Sequence, residues 1–352
     1  MSSSPSSSRP PYASSATAFP TPSRPPSSAA PHRWWRNPLR RRGTSRGCCG
    51  MRPGQPSSLR SRPCWSGHPT SRCSPKKIGV RNMSEKPFAG QTIVVTGGGT
   101  GIGRATALAF ADAGAAHVIV TGRRQSRLDQ VAALSPVIVK VNADVTTEAG
   151  AEAVAEAART HGGKIDVLVH NAGIYRQTPV DSADITLARE MVETNIIGPV
   201  LLTKTVLPLI TAPGGSIIFV SSVAGHNPEP YAAMYAVTKA GAHSLTLTWA
   251  KELANRGIRV NAVAPSAVRT EVYDANGLTP DQIDGIFKMF ASANPLGRTG
   301  VVEDVAPWIL QFADPRNSWV TGQILTIDGG FDLTSSSDSP YSPYTGPSEA
   351  AW

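Results

Sequence analysis

"TIVVTGGGTGIGRATALAFADAG", residues 92–114, runs from a β-branched stretch through a glycine loop into an Ala-rich stretch with helical spacing. Read locally, it is a strand, a loop and a helix in immediate succession. The glycines let the backbone turn tightly and come close to a pyrophosphate. The helix that follows offers unpaired N–H groups and the positive end of its dipole. The spacing, Thr96-Gly97-x-x-x-Gly101-x-Gly103, departs from G-x-G-x-x-G. Its place after the first strand and before a helix is what carries a dinucleotide reading. The plain alternative is a tight strand-to-helix turn with no ligand.

Downstream the same alternation continues. Short apolar runs at 117–121, 136–141, 166–170, 216–221, 258–264 and 323–328 are separated by Ala- and Leu-rich stretches with helical spacing at 147–161, 186–209, 231–256 and 303–313. Strands apolar on both faces, alternating with helices, predict a parallel sheet covered on both sides. Right-handed crossovers then give an α/β fold: a Rossmann-type, doubly wound parallel sheet of about seven strands in a single domain.

The second strand ends in "VIVTGRRQSRL". A fold that binds NAD usually places an acid here for the adenosine ribose 2′-hydroxyl. Gly122 stands at that place, followed by Arg123 and Arg124. An acid repels a 2′-phosphate and an arginine pairs with it, so the pattern favours NADP(H) over NAD(H). Two solvated loop arginines are the alternative.

Charge and cysteine set the ends of the chain apart from its body. Fifteen of the 34 basic residues lie in 1–84, where there is no acid; residues 85–352 hold 19 basic and 25 acidic residues, a net charge of −6. The overall +9 therefore gives no reason to assign nucleic-acid binding to the body. All four cysteines, Cys48, Cys49, Cys64 and Cys73, lie in the first segment. Their spacing lacks the pairs of a zinc site, so no metal is expected. Residues 1–84, rich in Ser, Pro and Arg, are expected to be disordered. They read as an organelle transit peptide, as a basic arm for nucleic acid or anionic membrane, or as sequence upstream of a true start at Met83. The expected domain is 85–331, with 332–352 as a flexible tail. No apolar run is long enough to span a membrane. The expected location is cytoplasmic, or mitochondrial if 1–82 is a transit peptide.

By its motifs the chain resembles the classical short-chain dehydrogenase/reductase family from about residue 88 to 331. The loop is "TGGGTGIG" 96–103, and the later motifs follow in the family's order: "NADVT" 142–146, "HNAG" 170–173, "TNIIG" 194–198, "IIFVSSVAG" 217–225, "YAVTK" 235–239, "RVNAVAPSAVRT" 259–270 and "VTGQILTIDGG" 320–330. Two positions depart from the pattern: His170 replaces the usual first Asn, and Ser266 replaces a glycine and is expected to restrict the backbone there. The resemblance implies cofactor contacts from Gly97, Thr100, Gly101, Ile102, Gly103, Arg123, Arg124, Asp144, Val145, Asn171, Tyr235, Lys239, Val268 and Thr270. It implies a catalytic set of Asn195, Ser222, Tyr235 and Lys239.

The chemistry suits those residue types. Reducing a carbonyl takes a hydride from a nicotinamide and a proton from an acid. A free tyrosine has a pKa near 10, and a neighbouring ammonium lowers it. Lys239 lies four residues after Tyr235, one helical turn along, whereas Tyr231 has no such lysine. In the family, the lysine also holds the nicotinamide ribose, the serine orients the substrate oxygen, and the asparagine holds a helix bend and a water that relays protons. The expected function is an NADP(H)-dependent carbonyl/alcohol oxidoreductase. The alternatives are a catalytically silent dinucleotide-binding protein on the same fold and an NAD-dependent alcohol dehydrogenase. His226, Tyr231, Tyr175, Arg176 and Tyr273 are weaker candidates for touching substrate. The apolar stripe Ile283, Ile286, Phe287, Met289 and Phe290 in the variable region 271–295 fits either a hydrophobic pocket cover or core packing. The expected partners are a fairly apolar small carbonyl or alcohol and further copies of the chain, as a tetramer or dimer through helices 186–209 and 231–256.

Overall fold

The computed structural model describes residues 86–272 and 278–334. The expectations for 1–84, for Tyr273 and for the tail beyond 334 lie outside the described residues. All that is described belongs to one compact unit, Ile78–Trp352. Seven strands, β1 (Thr92–Thr96), β2 (His117–Gly122), β3 (Ile138–Asn142), β4 (Val167–His170), β5 (Ser216–Val220), β6 (Arg259–Pro265) and β7 (Ile324–Ile327), form one sheet. Its order is β3-β2-β1-β4-β5-β6-β7, and every pairing is parallel. The helices are α1 (Gly101–Asp112), α2 (Gln125–Ala132), α3 (Glu148–His161), α4 (Ile185–Val192), α5 (Gly198–Val206), α6 (Ala233–Glu252), α7 (Pro280–Ala293) and α8 (Val302–Ala313).

The alternation of side chains along each strand divides the core in two. Ile93 and Val95 of β1 pack with Phe110 of α1 and Ile309 of α8. Val94 points the other way and packs with Val154 of α3, Leu202 of α5 and Ala242 of α6. Each such aliphatic side chain stabilises the fold by about 1.5–3 kcal/mol on burial. This explains why the strands are apolar on both faces. The chain leaves β1 toward β2 and β3 and returns to the opposite side at β4. The crossovers therefore diverge between β1 and β4, and a crevice opens there at the carboxyl ends of the strands.

Three elements differ from the sequence reading. The stretch 186–209 is not one helix: α4 and α5 are joined by a π turn, Glu193–Ile197, that carries Asn195. Helix α2 was not anticipated, because it is short and polar and buries only Leu128 and Val131. Residues 280–293 form the regular helix α7, opened by a capping box between Thr279 and Gln282.

His170, at the end of β4, is buried. Its ring packs 4.9 Å from that of Phe219 and 6.4 Å from that of Trp249, and its Nε2 shares a 2.7 Å hydrogen bond with Thr203 Oγ1. It is a packing residue. Burial lowers its pKa to about 3. The unfolded chain binds a proton near pH 6.5 and the folded chain does not, so stability falls as pH drops from about 6.5 toward 3, by up to about 1.4 kcal/mol per pH unit. Asn at position 170 does not titrate. His170→Asn should flatten the decline in urea-unfolding free energy between pH 6.5 and 4.5. The slope that remains belongs to His243, whose pKa burial, with help from His226 and Lys239, lowers to about 4. An unchanged slope in the variant would reject the assignment.

Candidate active site

A cavity of about 560 Å³ runs along the carboxyl edge of the sheet. At its floor, β1 and β4 are tied together beyond their last ladder bond. The Thr96 hydroxyl donates to the Val169 carbonyl and accepts the backbone N–H groups of Asn171 and Ala172 at 3.0 and 2.9 Å. The Asn171 side chain donates to the carbonyls of Thr96 and Gly97 at 2.9 and 3.1 Å. Asn171 thus holds the glycine loop in place.

The loop is a cradle that larger residues would fill. Gly97 and Gly101 have φ of +63° and +52°, the left-handed region that favours glycine. A Cβ on Gly103 would lie 2.4 Å from both Asn171 Nδ2 and the Gly97 carbonyl oxygen. Helix α1 begins at Gly101 with no acid in its first turn. Its exposed N–H groups suit a diphosphate. Thr100 and Ile102 line the cavity, and Thr270 packs its methyl 3.1 Å from where a Gly101 Cβ would stand. This donor set fits a dinucleotide.

At the β2 end, Gly122 has room for a side chain: a Cβ there would meet only Leu128, at 3.7 Å. Arg123 and Arg124 follow it, both exposed and both lining the cavity. Asp144 faces this end. Its carboxylate accepts the backbone N–H and the hydroxyl of Thr146 at 3.0 and 2.8 Å. Burial opposes ionisation, yet these bonds and the charge of Arg123 hold its pKa below the ordinary value. Val145 and Val268 are buried and supply apolar walls. The sequence reading missed two residues here. Arg127 lies one turn along α2 from Arg124, and Glu271 follows Thr270. Glu271 stands 4.0 Å from Arg124 and 3.8 Å from Arg127. The i, i+3 spacing of the two arginines was visible in the sequence; the approach of Glu271 was not.

At the β5 end, Ser222, Tyr235 and Lys239 line the same cavity. Ser222 follows β5, and its hydroxyl accepts the Ala224 N–H at 3.2 Å and donates to the Pro265 carbonyl at 3.3 Å. Tyr235 and Lys239 come from α6. The Lys239 ammonium donates to the Val220 carbonyl at 2.9 Å and stands 5.5 Å from the centre of the Tyr235 ring. Burial lowers the Lys239 pKa to about 8. Burial also drives the Tyr235 phenol above its ordinary value; a hydrogen bond with Ser222 works against this, and the neighbouring Tyr175 and Glu229 add to it. The sequence expectation was a phenol made more acidic by the lysine. In this state desolvation outweighs any such effect, because the ammonium is turned toward Val220.

Asn195 stands behind the cavity wall. Its amide accepts the Ile174 N–H at 2.9 Å and donates to the Ile174 carbonyl and the Thr238 hydroxyl, each at 3.0 Å. Thr238 in turn donates to the Tyr235 carbonyl at 2.7 Å. The π turn therefore joins the segment after β4 to the helix that carries Tyr235 and Lys239. Among the expected residues, only Gly103 and Asn195 do not line the cavity; both support residues that do.

The weaker candidates separate. Tyr175 lies edge-on to Tyr235 with ring centres 5.0 Å apart. Burial and the charge of Glu229 raise its pKa to about 12, against a bond with Gln177. Arg176 lines the cavity and donates to the Tyr175 carbonyl. His226 is paired instead with Asp332. Tyr231 has φ +62°, and its carbonyl accepts the Thr178 N–H at 2.6 Å. Tyr231 is the only non-glycine residue with positive φ among the described residues, so Ser266 is not strained at its glycine position. The stripe on α7 serves both expected uses. Phe287 and Phe290 are buried in a third apolar cluster with Val223, Ala267 and Phe331, while Ile286 and Phe290 also line the cavity.

Comparison with known proteins agrees with this geometry. Residues 97–332 match the family profile described as Enoyl-(Acyl carrier protein) reductase. The 3-oxoacyl-[acyl-carrier-protein] reductase of Thermotoga maritima is 38% identical over 249 residues, 68% of this chain and 97% of that protein. A short-chain dehydrogenase/reductase of unknown function from Caenorhabditis elegans, solved with cofactor, superposes with a TM-score of 0.67 at 35% identity, covering 71% of this chain and 98% of that one. The 3-ketoacyl-(acyl-carrier-protein) reductase of Brucella melitensis complexed with NADH superposes with a TM-score of 0.63 at 30% identity, covering 69% and 99%.

Proposed function

Since the chain belongs to the short-chain dehydrogenase/reductase family, we propose that it is an NADP(H)-dependent oxidoreductase that interconverts a carbonyl and an alcohol, with Tyr235 as the general acid/base. The observation that carries this reading is the group at the β5 end, where half-buried Tyr235 and Ser222 and buried Lys239 share one cavity with the glycine cradle. A nicotinamide dinucleotide, when bound, supplies the hydride for reduction or takes it up in oxidation. The protein does the rest. Ser222 donates a hydrogen bond to the substrate oxygen. Burial keeps the Tyr235 phenol protonated, as a proton donor must be before it acts. As negative charge grows on the substrate oxygen, Tyr235 hands over its proton. The charge left on the phenolate is met by Lys239, in a site where burial strengthens the attraction. Asn195 fixes the distance between these helical groups and the segment after β4. A silent binding protein would have no use for the full set of four.

The substrate reading follows the walls. Leu278, Ile286 and Phe290 line the cavity with Tyr175, which favours a fairly apolar carbonyl compound over a free sugar. The oxoacyl reductases among the relatives are consistent with such a substrate. The chain is read as acting in the cytoplasm, and no helix among the described residues is long and apolar enough to cross a membrane.

Self-association is part of the reading. Ile197 and Val200 at the start of α5 and Val237 and Leu247 on α6 are exposed apolar residues. Trp249, also on α6, is half-buried against Phe219. A homo-oligomer with closed symmetry, a tetramer or a dimer, would cover the exposed set. Light scattering at micromolar protein should return a multiple of the chain mass; a monomer mass rejects this.

Two kinetic measurements test the chemistry. Tyr235→Phe keeps the ring and removes the proton, so turnover should fall at least ~100-fold, the scale of an acid–base group, with cofactor still bound. Near-normal turnover would assign the proton to another residue. For the cofactor, a charge-assisted contact from Arg123 or Arg124 contributes about 1.5–3 kcal/mol. NADPH should therefore exceed NADH by at least about tenfold in kcat/KM. Gly122→Asp combined with Arg123→Gln should reverse the preference, since position 122 has space for the acid. A ratio near one in the unmodified enzyme would favour the NAD-dependent reading, to which the NADH complex of the Brucella relative lends weight.

A further inference from the structure

The arginines at the β2 end are not free to meet a ligand without cost. Arg124 donates to the Thr100 hydroxyl at 3.4 Å and stands 4.0 Å from Glu271 Oε2. Arg127 stands 3.8 Å from Glu271 Oε1. All four residues line the one cavity. The contacts from Glu271 are at ion-pair distance and are longer than hydrogen bonds. Its Oε2 is shielded from solvent and has no hydrogen-bond partner. A carboxylate held this way gains Coulomb attraction but does little to fix the guanidiniums in one geometry. Glu271 itself is placed by its neighbour, because Thr270 packs on the glycine loop at Gly101. The segment after β6 thus brings an acid onto the two arginines of α2 and its cap.

We propose that Glu271 is a specificity-determining residue that competes with an adenosine 2′-phosphate for Arg124 and Arg127, and so sets how strongly the chain prefers a phosphorylated dinucleotide. This rests on the cofactor reading above and adds a residue of opposite sign to it. A phosphate that pairs with these guanidiniums must share them with a carboxylate or turn it away, and two anions on one cation pair weaken each other. A ligand with a 2′-hydroxyl does not need the arginines and meets no such penalty. The role is one of competition, so removing the charge should improve binding of the phosphorylated ligand. A strut that pre-organised the arginines would have the opposite effect.

The test is equilibrium binding. Dissociation constants for NADPH and NADH are measured by nicotinamide fluorescence, and for 2′,5′-ADP by calorimetry, in the unmodified chain, Glu271→Gln, Arg127→Gln and the double variant. Glu271→Gln should bind NADPH and 2′,5′-ADP about three- to tenfold tighter, the scale of one partly screened charge, and NADH within about twofold of the unmodified chain. The gain should shrink when Arg127→Gln is added. Unchanged or weaker NADPH binding in Glu271→Gln overturns the proposal, as does a gain that is undiminished without Arg127. Equal binding of NADPH and NADH by the unmodified chain would count against the cofactor reading alone, because the change caused by Glu271→Gln still decides the competition.

Discussion

The tie between Thr96 and Asn171 is the constraint on which the site depends. At the point where the crossovers diverge, β1 and β4 separate and the sheet edge would leave backbone groups unpaired. One threonine hydroxyl and one asparagine amide satisfy five of these groups: the N–H of Asn171 and of Ala172, and the carbonyls of Val169, Thr96 and Gly97. The same bonds fix the glycine loop against the segment after β4. Because Asn171 Nδ2 fills the space where a Gly103 Cβ would stand, that loop residue has to be glycine. The cradle and the opposite wall are therefore a single hydrogen-bonded object.

The second half of the site hangs from the same wall. Ile174 lies three residues beyond Asn171 and exchanges two hydrogen bonds with Asn195, which in turn reaches Thr238 on α6. Asparagine is a mediocre residue for a regular helix, and here the helix is not regular: the π turn lets the side chain leave the helix surface and bridge outward. Along this path, the position of Tyr235 and Lys239 is referred back to the glycine loop. The burial that this packing brings acts on both groups in the same sense. It opposes charge, so it raises the phenol and lowers the ammonium. Burial thus keeps the phenol protonated and leaves the ammonium's pKa only modestly above neutral.

Much of this was legible in the chain. The glycine loop, the period of the strands and the Tyr-x-x-x-Lys spacing are local patterns, and local patterns survive without a structure. What escaped was short or non-local. Helix α2 buries two side chains, too few to print a period on its eight residues, and Arg127 went unnoticed with it. Glu271 meets Arg127 across 144 positions of sequence, a contact that no spacing rule encodes. The break in 186–209 is marked by Asn195 and by the Gly198-Pro199 pair just after it, signals that the helical spacing of the run outweighed. The direction of the Tyr235 shift was misread because sequence shows the nearby lysine but not the depth at which both are held. Ser266 was expected to constrain its loop, yet that backbone does not need a glycine.

The two ends of the cavity follow different physics. At the β2 end the groups are charged and exposed or half-exposed, so the outcome depends on the balance of Arg123, Arg124 and Arg127 against Asp144 and Glu271, which salt can screen. At the β5 end Lys239 is buried and Ser222 and Tyr235 are half-buried, so desolvation and a few hydrogen bonds weigh more. Changes at the first end leave the second untouched, because none of Arg123, Arg124, Arg127, Asp144 and Glu271 bonds to Ser222, Tyr235 or Lys239. Changes at the second end cannot be so contained: Tyr235 packs on Tyr175, whose neighbours Ile174 and Arg176 belong to the segment that Asn195 secures. At that second end α7 presses Phe290 into the wall and shares its apolar cluster with Val223, the residue after Ser222. The apolar cover and the Ser222 end of the cavity are thus packed against each other, which makes the shape of the cavity and the placement of its polar groups one packing problem.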